Sequence, residues 1–409
     1  MSHDDERWVP GSFGLDADRA ATMSPERTVL AVVHHMTAAT RLADVMPLLE
    51  SDRRVQVVYT CPPAPVSPGW TREYLGRLGA TVIPWQQAVE TGFDLAVAAS
   101  YGNLERVHAP VLTLPHGAGF NKYARRWEGP GPEAGREMYG MERAVLVYRG
   151  RVIPSAVVVP TGRDLARLRR GCPEAAAVGV MAGDPAFDRL AASMALRERY
   201  RRALGATDRA LVAISSTWGT GSLLRQCPDL IPAVLSQLPQ DRFRVAAILH
   251  PNIWAWHGRR QVRAWFSGSM RDGVILIPPE EGWRAVLVAA DYVLGDHGSV
   301  TCYAAAIGRP VLLASFPAGE VDRASAVARL GRMAPRLDDG VPLEAQLERA
   351  AATWTPARHR VISGLVTGAP GRSAELITAV MYRLMGMVEP AARPAVRPVP
   401  VPRPLAVPE

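Results

Sequence analysis

Five of the nine histidines directly follow an apolar, strand-like segment of the sequence. Imidazole titrates near neutral pH, so a well-placed histidine can take a proton from a hydroxyl group. In open parallel sheets, ligands bind at the carboxyl ends of the strands, which is where these side chains would lie. Their positions therefore predict a site for acid–base or binding chemistry. The five histidines are His34, His35, His116, His250 and His297.

The segment VLTLPHGAGFNKY, residues 111–123, combines His116 and Gly117 with Lys122. Lys122 is the only lysine in the chain, and the remaining Lys and Arg positions are all arginine. An ammonium is a compact point charge, whereas a guanidinium is a wide planar fork, so the two are poorly interchangeable in a tight site. Lys122 is therefore either a binding-site charge or an ordinary surface lysine. For His116 we predict a general base, the alternative being a histidine that caps the following helix.

Two glycine-rich turns follow strands in the second half of the sequence, SSTWGTGSLL at 215–224 and DHGS at 296–299. Glycine lets the backbone approach a ligand closely, and the free amides of a helix N-terminus attract phosphate. We therefore predict that the phosphates of a nucleotide diphosphate bind here, although an ordinary strand–helix turn also favours Gly and Ser. Neither turn is a Walker A or GxGxxG motif. The predicted contacts are Thr217, Gly219, Gly221, Asp296, His297, Gly298 and Ser299.

Composition limits the class of protein and its partners. A chain of 409 residues with a net charge of +8 predicts at least two domains and an anionic partner. The arginines are scattered and no nucleic-acid-binding signature is present, which argues against nucleic acid. A peripheral contact with an anionic membrane surface stays open.

Several features favour a reduced, cytoplasmic protein, with association at the inner membrane face left open. The four cysteines form no CxxC motif, the N-terminus is acidic and polar, and no apolar run is long enough to span a bilayer. Metal-independent chemistry without a cofactor is expected. The Asp-Ala-Asp segment at 16–18 matches a DxD pattern but precedes the first strand, and no His/Cys metal-ligand spacing is found.

The sequence alternates strand-like apolar runs with amphipathic helical segments, and this alternation restarts near residue 184. The pattern predicts an α/β protein with two facing doubly wound, Rossmann-like domains. Unalternated Val, Ile and Leu runs indicate parallel sheets covered on both faces. We assign an N-terminal extension (1–27), an acceptor-side domain (28–183), a nucleotide-donor domain (184–354), helices packing across the junction (355–388) and a disordered proline-rich tail (389–409).

The motif order resembles the CDP-glycerol glycerophosphotransferases, a family with the glycosyltransferase-B fold. The matching segments cover roughly 28–320: the His-Gly…Lys segment, GDPAFDRL, ISSTW, LHPN and DHGSVTCYAAAIGRPVLL. The last segment is also similar to the UDP-N-acetylglucosamine 2-epimerases, which share the fold.

The resemblance implies roles for individual residues. His116 would be the base on an acceptor hydroxyl, His250 would meet the donor's phosphates, and Ser299 would supply the hydroxyl of the phosphate turn. Lys122 would place a point charge beside a phosphate or an acceptor anion. The chain departs from the family pattern at Ala118, at 186–187 and at 297–298, so its nucleotide and transferred group could differ.

Three functions follow from these patterns. The first is a glycosyl or glycerophosphoryl transferase that takes a nucleotide-diphosphate-linked donor and a hydroxyl acceptor. The second is a nucleotide-sugar 2-epimerase, and the third is a non-catalytic nucleotide-binding protein of the same fold.

Overall fold

The computed structural model describes residues 8–11, 22–63, 68–123, 138–392 and 395–407. The chain divides into two compact units, each built from several stretches of sequence. The division at Pro185 lies beside the predicted boundary at 183–184. Unit 1 consists of Met1–Phe120, Ala124–Pro185 and Ala369–Ala395, and unit 2 of Asn121–Tyr123, Ala186–Gly368 and Val396–Glu409.

The strands of the described residues are, in chain order, β1 Arg27–Val32, β2 Val55–Thr60, β3 Val82–Ile83, β4 Leu95–Ala98, β5 Val111–Thr113, β6 Val147–Tyr148, β7 Arg151–Val152, β8 Ala156–Val159, β9 Gly179–Met181, β10 Ala210–Ser216, β11 Phe243–Leu249, β12 Ile275–Leu276, β13 Tyr292–Gly295 and β14 Val311–Leu313.

The α-helices of the same residues are α1 Met36–Val45, α2 Pro47–Glu50, α3 Pro68–Arg77, α4 Trp85–Glu90, α5 Arg143–Leu146, α6 Gly162–Gly171, α7 Pro185–Ser193, α8 Arg197–Ala203, α9 Leu223–Gln226, α10 Leu230–Gln237, α11 Pro251–His257, α12 Arg259–Arg271, α13 Trp283–Ala289, α14 Ser299–Ala306, α15 Ala326–Met333, α16 Leu343–Thr353, α17 Pro356–Val366 and α18 Ser373–Met385.

Unit 1 is built on a parallel sheet with the strand order β3-β2-β1-β4-β5-β8-β9. Its interior strand β1 carries Val29, Leu30, Ala31 and Val32, and all four side chains are fully buried. A parallel strand buried on both faces needs such a continuous apolar run, which is why the sequence shows no alternation here. The predicted parallel α/β sheet of the first domain is confirmed.

Unit 2 is built on a second parallel sheet with the order β12-β11-β10-β13-β14. The order reverses beside β10, because β10 pairs with both β11 and β13. Open parallel sheets bind ligands at such a switch point, outside the carboxyl ends of the strands. Both glycine-rich turns leave the sheet there, one after β10 and one after β13.

The predicted helical segment 355–388 is divided between the units. Helix α17 belongs to unit 2, where it packs on α14 and α15. Helix α18 belongs to unit 1, where the Tyr382 hydroxyl donates to Asp52 Oδ2 at 2.7 Å and Met385 O accepts from Arg27 Nε at 3.0 Å. Packing of this segment across the junction stays a prediction.

The proline-rich tail, predicted to be disordered over 389–409, is described at 389–392 and 395–407, and the second stretch is extended and packs on unit 2 through the contacts of Val399 and Leu405. Val399 is 3% exposed, its N–H donates to Ser193 Oγ at 2.9 Å, and its carbonyl accepts from the Tyr200 hydroxyl at 2.6 Å. Farther along, Leu405 N donates to Leu276 O at 2.9 Å, on the edge strand β12. Prolines supply no N–H donors, so the backbone N–H bonds of the tail come from its few other residues.

None of the helices in the described stretches of the chain has the length and apolar character needed to cross a membrane.

The ordered tail predicts that Val399→Asp destabilises unit 2, because the substitution buries an unpaired carboxylate. We expect the free energy of unfolding to fall by about 2 kcal/mol or more in urea denaturation. Val407→Asp is the matched control, since Val407 is 47% exposed in the same tail. Equal behaviour of the two variants would contradict the observed packing.

Candidate functional site

The side chain of Asp296, which follows β13, holds the two glycine-rich turns of unit 2 together. Its Oδ2 accepts from Thr217 N at 2.8 Å and from Leu223 N at 2.9 Å, and its Oδ1 accepts from Gly298 N at 2.9 Å. Asp296 is fully buried. We predicted that it lines the ligand site, but its oxygens are committed to backbone amides, so it positions the turns instead.

Close packing and backbone conformation require glycine at several positions of these turns. A Cβ on Gly298 would lie 3.0 Å from Asp296 Oδ1, and one on Gly221 would lie 2.7 Å from Pro317 Cγ. Gly219 has a φ of 91°, a conformation that side chains disfavour. A larger residue at 298 would therefore crowd the carboxylate that holds the turns, and one at 221 would clash with Pro317.

Ser299 is the first residue of α14, and Gly298 is its N-cap. The first amides of a helix have no partner within the helix, and the helix dipole makes this end attractive to anions. Ser299 is only partly buried, whereas Thr217 beside it is 5% exposed. The arrangement suits a phosphate at Ser299, while Thr217 contributes its backbone N–H to the link with Asp296.

His250 follows β11 and caps α11. Its Nδ1 accepts from Asn252 N at 3.1 Å, so a neutral ring carries its proton on Nε2. Its ring centroid lies 6.1 Å from that of Trp218, in the turn that follows β10. The structure thus brings His250 to the same edge of the sheet as the glycine-rich turns, with Nε2 as a hydrogen-bond donor.

Lys122 lies in unit 2, although the sequence placed it in the first domain with His116. Residues 121–123 pair with the loop between β14 and α15: Lys122 forms an isolated antiparallel bridge with Val321, and Asp322 N donates to Asn121 O at 2.9 Å. The ammonium acts electrostatically on the residues after β13: burial raises the pKa of Asp296 and Lys122 opposes this rise, whereas burial lowers the pKa of His297 and Lys122 adds to this fall. The lysine therefore adds positive charge beside the two turns.

His297 is neutral and buried. It is 2% exposed, and burial, together with the Lys122 charge, lowers its pKa to about 3. Its Nδ1 makes no hydrogen bond within the described residues. A side chain in this state cannot shuttle protons near neutral pH, so its chemistry is limited to neutral hydrogen bonding.

In unit 1, His116 follows β5 and has a defined tautomer. Its Nδ1 lies 3.0 Å from the carbonyl oxygen of Ala99, which can only accept, so Nδ1 carries the proton and Nε2 is unprotonated in the neutral ring. The His35 ring meets it edge-on at 4.9 Å between centroids. An imidazole held in this form is suited to act as a general base.

The neighbouring histidines have structural contacts. His35 caps α1, where its Nδ1 accepts from Ala38 N at 3.2 Å. His34 Nε2 lies 2.8 Å from Gly102 O, and burial lowers its pKa. These contacts leave His116 as the candidate base among the three.

Sequence reasoning missed several polar side chains that shape the two sites. Ser315, after β14, donates its hydroxyl to Gly221 O at 2.9 Å; a serine at a strand exit was the available signal. In unit 1, Arg41 Nη2 donates to Gly117 O at 3.1 Å and pairs with Asp184. A helical arginine gave no signal, because its partner is distant in sequence.

Within the described stretches, no group of three His, Cys, Asp or Glu side chains is placed to hold a metal ion. The Asp-Ala-Asp segment at 16–18 lies outside the described residues. Metal independence stays a prediction.

Two doubly wound parallel domains define the class: the chain has the glycosyltransferase-B fold. The wall teichoic acid polymerase TagF has this fold at 12% identity and a TM-score of 0.59, over 89% of this chain and 90% of that one. A TagF structure soaked with CDPG gives 11% identity and 0.58, over 89% of each chain.

S. aureus MnaA, solved with UDP, gives 12% identity and a TM-score of 0.52, over 90% of this chain and 99% of that one. No family model and no curated protein matches the sequence. The predicted resemblance to glycerophosphotransferases and to 2-epimerases is therefore confirmed, and at such identities it shows the fold.

The buried carboxylate predicts a characteristic pH dependence of stability. Burial raises the pKa of Asp296 from 3.8 to about 6, so between these values the folded state binds a proton that the unfolded state has lost. The free energy of unfolding should therefore fall as pH rises from about 4 to 6, and level off above that.

Asp296→Asn removes this titration and replaces an acceptor oxygen by an amide donor facing backbone N–H groups. Urea denaturation should show a loss of about 1–3 kcal/mol at pH 7 and a stability gap to wild type that shrinks from pH 4 to 6. Asp208→Asn, at an exposed carboxylate of unit 2, should behave as wild type. A constant gap across this range would contradict the prediction.

Proposed function

We propose that the protein is a group transferase that moves a glycosyl or glycerophosphoryl group from a nucleotide-diphosphate-linked donor to an acceptor hydroxyl. The observation that carries the proposal is the pair of glycine-rich turns that Asp296 ties together at the strand ends of unit 2. The solved structures of the same fold, soaked with CDPG or bound to UDP, support a nucleotide-linked donor.

In the proposed reaction, His116 Nε2 takes the proton of the acceptor hydroxyl as its oxygen attacks the electrophilic carbon or phosphorus of the donor. The bond to the departing nucleotide phosphate breaks, and its electron pair stays on the phosphate oxygen. Preorganised donors that face a developing charge stabilise the transition state without reorganisation. We assign that role to the N-terminus of α14, Ser299, His250 Nε2 and Lys122.

In this proposal the predicted site residues have different roles. Gly298, Ser299, Gly219 and Gly221 form the phosphate turns, and Asp296 and Thr217 hold them in place. His297 offers a neutral hydrogen-bonding group beside Lys122. Gly117 shapes the turn of His116. Peripheral contact with an anionic membrane surface remains our prediction from the net charge of +8.

The donor site predicts that Ser299→Asp abolishes nucleotide binding, because the new carboxylate would face the phosphates. Calorimetry and thermal shift with cytidine and uridine diphosphates and their linked donors measure the effect. A ligand at 100 times its Kd should stabilise wild type by about 2.7 kcal/mol. Ser236→Asp, which adds the same charge at an exposed position of α10, should bind as wild type. Unchanged affinity in Ser299→Asp would remove this site.

The transfer reaction predicts different effects for the base and the lysine. His116→Ala should lower kcat by about 10²–10⁴-fold with little change in donor affinity, because proton removal contributes in the transition state. Lys122→Arg keeps the charge but replaces a point ammonium by a planar fork, so it should weaken donor binding and lower kcat/KM.

Product analysis with the same donors decides between the functions. A donor-dependent, acceptor-dependent product supports transfer, whereas an epimerised donor without an acceptor would identify an isomerase. Nucleotide binding without turnover of any donor would indicate a binding protein. Wild-type turnover in Lys122→Arg would show that the single lysine is an ordinary surface residue.

A further inference from the structure

Unit 1 contains a buried ion pair between α1 and the end of the segment after β9. Arg41 Nη1 lies 3.0 Å from Asp184 Oδ1, and the two side chains are 2% and 1% exposed. Both residues belong to unit 1, and they are 143 positions apart in sequence. This ion pair is therefore shielded from solvent, in contrast to the ion pairs on the protein surface.

Arg41 also bonds to the backbone beside the proposed base. Its Nη2 donates to Gly117 O at 3.1 Å, and that carbonyl accepts a second bond from Gly119 N at 2.8 Å. The residues from 114 to 117 belong to no helix or strand, so regular secondary structure does not fix them. The guanidinium therefore links the turn of His116 to α1 and to Asp184.

Stability alone gives a weak reason for such a pair. Removing two charges from water costs several kcal/mol per ion, and an apolar pair of similar volume is often as stable or more so. What an apolar pair cannot supply is a directional bond to Gly117 O. A planar guanidinium can hold a carboxylate and a carbonyl at fixed angles at the same time.

We propose that Arg41 and Asp184 are a positioning pair that fixes the turn of His116 and Gly117, and so keeps His116 in the tautomer with Nε2 unprotonated. Asp184 orients Arg41, Arg41 holds the Gly117 carbonyl, and the turn keeps His116 Nδ1 on the Ala99 carbonyl. The catalytic consequence rests on the proposed function, whereas the effect on the histidine tautomer is independent of it.

The test compares Arg41→Met with Arg167→Met, a matched control in the same unit. Arg167 also forms a buried pair, 2.6 Å from Asp164, and donates to a backbone carbonyl, that of Phe120, at 2.9 Å. Nitrogen NMR of histidine-labelled protein, with the His116 signal assigned from His116→Gln, reports the tautomer without any substrate. Steady-state kinetics report kcat and the donor KM.

Arg41→Met should mix the two His116 tautomers and lower kcat by about 10²-fold, with the donor KM changed less than about threefold, because the donor is assigned to unit 2. Arg167→Met should leave the tautomer as in wild type. Arg41→Lys should restore little, because a point ammonium cannot hold both partners.

Arg41→Met leaves a buried carboxylate unpaired and could fail to fold, so Arg41→Met/Asp184→Leu is tested beside it. We expect this double variant to be folded, with a mixed tautomer and low kcat. A folded double variant with the wild-type His116 tautomer would overturn the positioning role. If His116→Ala keeps full activity, the proposed base is wrong, and the tautomer measurement still decides the role of the pair.

Discussion

The hydrogen bonds of the Asp296 carboxylate are the interaction on which the two glycine-rich turns of unit 2 depend. Its two oxygens accept three backbone N–H groups from two turns that follow different strands, β10 and β13. A charge-assisted bond is stronger than a neutral one, and each bond here is made by a fully buried carboxylate. Burial disfavours the negative charge of Asp296, whereas the three amide donors and Lys122 favour it. The result is a pKa raised to about 6. The link between the turns therefore depends on a negative charge that burial disfavours and that the amide donors and Lys122 stabilise.

The main features of the fold follow from the sequence because they depend on local pattern. Apolar runs such as β1 and β10 identify buried parallel strands, and glycine before a helix identifies a turn at a strand exit. Such signals depend on a few neighbouring residues. They place His116 and Ser299 at strand ends without information about the rest of the chain.

Pairings between distant residues could not be predicted in the same way. Lys122 follows His116 closely in sequence, yet a bridge to Val321 places it in the other unit. The bond between Arg41 and Asp184 spans 143 positions, and nothing in the spacing of either residue indicates its partner. The tail has the composition of a disordered segment, but the Val399 side chain is buried in unit 2. Composition alone does not indicate this packing.

The chain passes between the units after Phe120, Tyr123, Pro185, Gly368 and Ala395, so neither unit is one continuous stretch. Helix α18 packs on α2 and β4 of unit 1 but is separated from the earlier stretches of that unit by Ala186–Gly368. During translation, this surface of unit 1 therefore stays uncovered until Ala186–Gly368 of unit 2 and then α18 have been synthesised. A truncated protein ending near residue 368 would lack Ala369–Ala395 of unit 1 and Val396–Glu409 of unit 2. A single truncation point therefore cannot produce either unit in full.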